Sequence, residues 1–152
     1  MASDVSRLLE AVDFAARKHK DQRRMDPEGT PYINHPIVED TDTTFSEIEE
    51  WFGAEVRRVV EEVTDDKTLP KMERKRLQIE HAPLCSRRAK LVKLADKLYN
   101  LRDLNRCTPQ GWSAERVQEY FRWAARVVAG LRGTSAALEG ALQRLLEERG
   151  VA

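Results

Sequence analysis

An all-α fold is what this chain of 152 residues predicts, and three observations carry the helical reading. Apolar residues recur at spacings of three and four along most of the chain, most cleanly at Leu91, Leu94, Ala95, Leu98, Leu101 and Leu104. Residues that cap helices stand ahead of these runs, and Gly or Pro closes them. No segment alternates apolar and polar residues over the length of a strand, and there is no repeat or low-complexity tract. The length suits one domain with its own core and short connections.

In order, Val5, Leu8, Leu9, Val12, Ala15, Ala16 and His19 form the first helical stripe, with Ser3 or Asp4 as N-cap. His19, at its end, reads as a packed histidine. Pro27, Gly29 and Pro31 turn the chain into a loop. At its upstream edge, Gln22-Arg23-Arg24 offers guanidinium groups that suit either a phosphate or a solvated charge cluster. Thr44 and Glu47 make a capping box ahead of Phe45, Ile48 and Phe52, with Gly53 as the closing cap. Val56, Val59, Val60 and Val63 give the next helix its stripe, which ends at Thr64-Asp65-Asp66-Lys67. Residues 69–82 are highly charged and read as a peripheral helix with Met72, Arg76 and Ile79 inward, closed by Pro83.

The leucine-rich helix over residues 91–104 carries Asp96 on the shoulder of its apolar stripe. A carboxylate in that position is costly unless it pairs with a Lys or Arg or binds a metal. Lys97 and Asn100 extend a polar strip beside it that can meet a ligand. Ser113 caps a helix bearing Val117, Tyr120, Phe121, Ala124, Val128 and Leu131, with Gly133 as its stop. Leu138, Leu142, Leu145 and Leu146 define the last helix, which ends near Gly150.

Lys plus Arg equals Asp plus Glu at 26 each, which argues against nucleic acid or an anionic membrane as partner and makes any phosphate recognition local. The absence of a long apolar run and of a secretory h-region predicts a cytoplasmic protein. Cys85 and Cys107 read as free thiols.

Chemistry concentrates in residues 32–44. His35 stands between Asn34 and Pro36, with Glu39 and Asp40 four and five residues on. A neutral nitrogen ligand and two carboxylates suit a hard or borderline divalent cation. Four residues of chain span at most about 14 Å, and a helix opening at Pro36 would set His35 and Glu39 on one face.

Four ordered motifs then carry a resemblance: His19-x-x-Gln22-x-Arg24, Gly29-x-Pro31-Tyr32-Ile33-x-His35-Pro36, Glu39-Asp40-Thr41 and Leu94-Ala95-Asp96-Lys97-Leu98-x-Asn100. With Glu62-Val63-Thr64-Asp65-Asp66-Lys67 they cover nearly the whole chain and resemble the RelA/SpoT-type HD-domain hydrolases, above all the small stand-alone metazoan SpoT homologues. The resemblance implies a single all-α HD-type domain over residues 1–152, a Mn²⁺ ion, and hydrolysis of guanosine 3′,5′-bis(diphosphate), ppGpp, to GDP and pyrophosphate. NADPH, through its 2′-phosphate, is a second implied substrate. His35 and Asp96 match metal ligands, and Glu39 and Asp40 match the acidic pair that works with the attacking water. Arg24, Lys97, Asn100 and Tyr120 match positions that contact the nucleotide. In such a site the ion polarises the phosphoryl oxygen and generates hydroxide at neutral pH.

The chain departs from the family at one place. The family motif runs His-Asp-x-x-Glu-Asp, whereas here Ile37-Val38 leads directly into Glu39-Asp40. Against the pattern, on the order of two dozen residues are missing between Ile37 and Val38, enough for a helix and its connections. Intact flanking motifs suggest a skipped coding segment, as in alternative splicing. Two of the four family ligands go with it, so weak metal binding and impaired or absent activity are expected. The alternative is a non-catalytic product, either an unstable isoform or a helical interaction module that still binds nucleotide or pairs with a full-length copy. Loss of a core helix also predicts partial exposure of the apolar faces over residues 5–12 and 91–101, with molten-globule behaviour.

Overall fold

The structure, a computed structural model, describes residues 41–151. Arg24, His35, Glu39, Asp40, the first expected helix and the junction of Ile37 with Val38 lie outside the described residues. All regular structure among the described residues is helical, and the chain divides into two compact units, Met1–Asp65 and Asp66–Ala152.

The first unit contains α1 (Phe45–Phe52) and α2 (Ala54–Val63). Thr44 is extended, and its hydroxyl oxygen accepts the backbone N–H of Glu47 at 3.1 Å, satisfying one of the free donors of the first turn. Gly53 closes α1 and opens α2 with φ at 91°, a conformation that requires glycine at this one-residue corner. Ile48 is buried, and Arg57 on α2 reaches Glu49 on α1 at 2.6 Å and Glu61 on its own helix at 2.7 Å. The expected valine stripe is covered only over its C-terminal half: Val59, Val60 and Val63 are half-buried, but Val56, in the turn next to Gly53, is 42% exposed.

The second unit contains α3 (Lys71–His81), a 3-10 turn (Ala82–Leu84), α4 (Arg87–Arg106), α5 (Ala114–Ala129) and α6 (Ala136–Glu148). Ser86, Ser113 and Ser135 cap the last three helices, each hydroxyl accepting an N–H of the first turn. Leu94 and Leu101 of α4, Phe121, Ala124 and Val127 of α5, Leu142 of α6 and Leu131 in the turn before it are all fully buried in one core. The exposure expected along residues 91–101 therefore does not occur at Leu94, Leu98 or Leu101, which α5 and α6 cover. Ala95, expected in that stripe, is exposed; it shares the outer face with Val92 and Tyr99, one turn away in either direction.

Two further expectations change. In α3, Met72 is 83% exposed and Arg76 pairs outward with Glu73 and Glu80. Ile79 packs on the core as expected, and the inward face is completed by Lys75, which meets Trp123 of α5, and by Ala82 of the 3-10 turn that follows. α5 ends at Ala129, not at Gly133, and the next residue passes close to the 3-10 turn: a Cβ on Gly130 would stand 2.8 Å from that of Ala82 and 2.9 Å from Cδ of Pro83. Gly133, at φ 82°, lies in the following turn. No helix of the described residues is long and apolar enough to cross a membrane.

Candidate functional site

Three helices of the second unit bring cations and aromatic rings together. Lys97 follows from the pitch of α4: one position before Leu98 and four before Leu101, it turns toward α5 and is only 5% exposed. Its ammonium lies 3.0 Å from Oδ2 of Asp96 and 4.7 Å from the centre of the Trp123 ring. An ion pair and a ring face together offset the cost of holding that charge out of water. Asp96, its side chain 31% exposed, opens toward solvent. Of the two expectations for this carboxylate, the pairing with a lysine is present.

Asn100 stands one turn further along α4, and its amide Nδ2 donates to the Tyr120 hydroxyl at 3.4 Å, joining α4 to α5. Tyr120 continues into a run of rings, 6.1 Å from Trp112 and 5.2 Å edge-on from Trp123. Arg116 stacks over Trp112 at 4.0 Å. From α3, the ammonium of Lys75 comes within 5.8 Å of the Tyr120 ring and 5.1 Å of Trp123. Burial, then the neighbouring charges of Lys71, Arg116 and Lys97, lower the pKa of Lys75 from its ordinary value, while Glu119 opposes them. Flat rings flanked by cations, with an amide and a phenol between them, can hold an anion next to a planar ring.

Asp96, Lys97, Asn100 and Tyr120, all expected from the sequence, are thus brought together; Arg24, His35, Glu39 and Asp40 lie outside the described residues. The reading missed Trp112, Arg116, Trp123 and Lys75. The first three recur with Tyr120 at spacings of four, four and three, a legible aromatic and cationic face. Lys75 gave no such signal within a stretch rich in charge.

The described residues do not by themselves fit a Mn²⁺ ion. No group of three or more His, Cys, Asp or Glu stands together among them, and Asp96 is a single carboxylate engaged by Lys97. In the sequence as a whole the three histidines, His19, His35 and His81, precede Lys20, Pro36 and Ala82, so no His-Asp dipeptide occurs.

Comparison with known proteins gives a family match and close relatives. Residues 33–127 match the HD domain. The guanosine-3′,5′-bis(diphosphate) 3′-pyrophosphohydrolase MESH1 of Homo sapiens is 63% identical over 177 residues, covering 99% of each chain. The protein of the same name from Xenopus tropicalis is 61% identical, covering 100% of this chain and 99% of its own. That alignment runs over 178 residues, 26 more than the 152 of this chain, so the frog protein has positions without a counterpart here. A solved structure, of a metazoan orthologue of SpoT described as hydrolysing ppGpp and playing a role in starvation responses, matches with TM-score 0.93 and 45% identity, both chains covered in full.

Proposed function

The chain belongs to the RelA/SpoT-type HD-domain family, and we propose that it is a member that binds guanosine 3′,5′-bis(diphosphate) while hydrolysing it at no more than background rate. The substrate class follows from the names of its relatives, and NADPH is the second nucleotide to which the reading extends. The observation that carries the loss of turnover is the absence of any His-Asp dipeptide, together with the 26 alignment positions that lack a residue here.

In this reading the second unit supplies the nucleotide contacts. Lys97, set beside Asp96, offers a fixed positive charge, and Asn100 and Tyr120 offer an amide and a phenol to a base or phosphate oxygen. We place the missing segment between Ile37 and Val38, as a skipped coding segment would leave it, and this form in the cytoplasm. Of the residues that match the family's ligands, only His35 and Asp96 remain in the sequence, too few for a tight Mn²⁺ site. In the sequence Glu39 and Asp40 follow His35 by only four and five residues, a spacing that the family motif does not have. Displacements of about 1 Å at such a centre cost roughly 100-fold in rate.

Calorimetric titration of the purified chain with guanosine 3′,5′-bis(diphosphate) and, separately, with Mn²⁺ tests this. Nucleotide binding that falls about tenfold in Asn100→Ala, with only weak Mn²⁺ binding, is expected. A tight stoichiometric Mn²⁺ site abolished by His35→Ala, or no nucleotide binding at all, contradicts it.

A further inference from the structure

Lys75 stands where the proposed nucleotide contacts end, and no motif or resemblance had marked it. Its helix is fixed there: Trp123 Nε1 donates to the Lys75 carbonyl at 3.1 Å, so the lysine is presented from a set point on α3. Its ammonium lies within cation–π distance of two rings, Tyr120 and Trp123, at 5.8 and 5.1 Å. The second of these rings also carries Lys97, at 4.7 Å. Beyond Tyr120 the run continues to Trp112 and the guanidinium of Arg116.

Like charges are thus gathered on rings instead of dispersed into water. Burial first, then the cations Lys71, Arg116 and Lys97, the last of them paired with Asp96, depress the affinity of Lys75 for a proton, while Glu119 opposes them. Cations crowded beside rings in this way suit a multivalent anion.

Resting on the nucleotide-binding reading above, we propose that Lys75 is a phosphate-binding residue of this site, its ammonium contacting a phosphate or pyrophosphate group of a ligand that packs against Tyr120. The rings flank the ammonium, whose three N–H donors an anion can accept. If its contacts were only structural, removing the charge while keeping the stem would affect folding stability and leave anion affinity unchanged.

The test compares the unmodified chain with Lys75→Met and Lys75→Arg, using calorimetry with inorganic pyrophosphate and with guanosine 3′,5′-bis(diphosphate) at two salt concentrations, and thermal melts as a control for folding. Pyrophosphate affinity about tenfold lower in Lys75→Met, with a shallower salt dependence, and affinity retained in Lys75→Arg support the proposal. Equal affinity in all three proteins overturns it and leaves the nucleotide reading standing. Failure of the unmodified chain to bind either anion overturns both. Should Lys75→Met not fold, the decision passes to Lys75→Arg and the unmodified chain: protection of Lys75 from amine acetylation by pyrophosphate supports the proposal, and unchanged acetylation overturns it.

Discussion

Gly130 is where one atom decides a packing contact. Its backbone is helical and any residue can adopt it, so the need for glycine comes from Ala82 and Pro83, at 2.8 and 2.9 Å from where a Cβ would stand. Neither neighbour is a flexible side-chain end, so Gly130→Ala is expected to destabilise by about 1–3 kcal/mol, read as a lower urea midpoint at unchanged slope. An unchanged midpoint would show that the 3-10 turn moves aside freely. Glu139 decides a different local matter. Its carboxylate accepts the backbone N–H groups of Gly133 and Ser135 at 2.9 Å each and of Thr134 at 3.2 Å, closing the turn ahead of α6. The Gly133 N–H first, then those of Ser135 and Thr134, hold its pKa below the ordinary glutamate value. A depressed carboxylate pKa adds stability that is complete above the unfolded pKa, near about 4.3, and is lost as pH falls through the folded value. Glu139→Gln should therefore cost about 1 kcal/mol at pH 7, solvent screening keeping it small, and the gap to the unmodified chain should close at acid pH. A gap that stays constant from pH 7 into that range would assign the cost to something other than charge.

At the scale of elements, the second unit is held by α4, α5 and α6, with α3 laid on α5. The stripes of α4, α5 and α6 were legible because leucine, valine and phenylalanine at helical spacing state the inward face directly, and Leu94, Leu101, Phe121 and Leu142 are fully buried there. The face of α3 was legible only at Ile79. Its inward positions include Lys75, and the contact that selects them is a hydrogen bond from Trp123, 48 residues away, which local periodicity does not encode. The site divides along the same line. Asp96, Lys97 and Asn100 share one helix with a motif and were readable, whereas Lys75 and Trp123 meet only through packing. Trp123→Phe keeps the ring and removes the donor to the Lys75 carbonyl. A loss of about 0.5–1.5 kcal/mol is expected, with amide exchange in α3 accelerating while the protection of α4 and α6 is kept. Uniform acceleration across the helices would mean that α3 does not open independently of them.

For the whole molecule, what the chain lacks matters as much as what it retains. The leucine stripe of α4 is buried by α5 and α6, so the second unit carries a closed apolar core of its own. The same core sets Lys97, Asn100 and Tyr120 in place without any part of the missing segment. In the proposed function binding and turnover are therefore separable: the proposed nucleotide contacts rest on α4 and α5, and the proposed loss of hydrolysis rests on a dyad that the sequence does not contain. That dyad's absence was legible in the sequence because a motif of fixed order fails at one place, between Ile37 and Val38. The measurement that tests this separation most directly is pyrophosphate release from guanosine 3′,5′-bis(diphosphate) with Mn²⁺ present, by the chain as it stands and by a version with the relatives' missing segment inserted between Ile37 and Val38. Background release by the first and recovered turnover by the second are expected. Robust release by the unmodified chain, lost in Asp96→Ala, would contradict it and make the shortened site a working one.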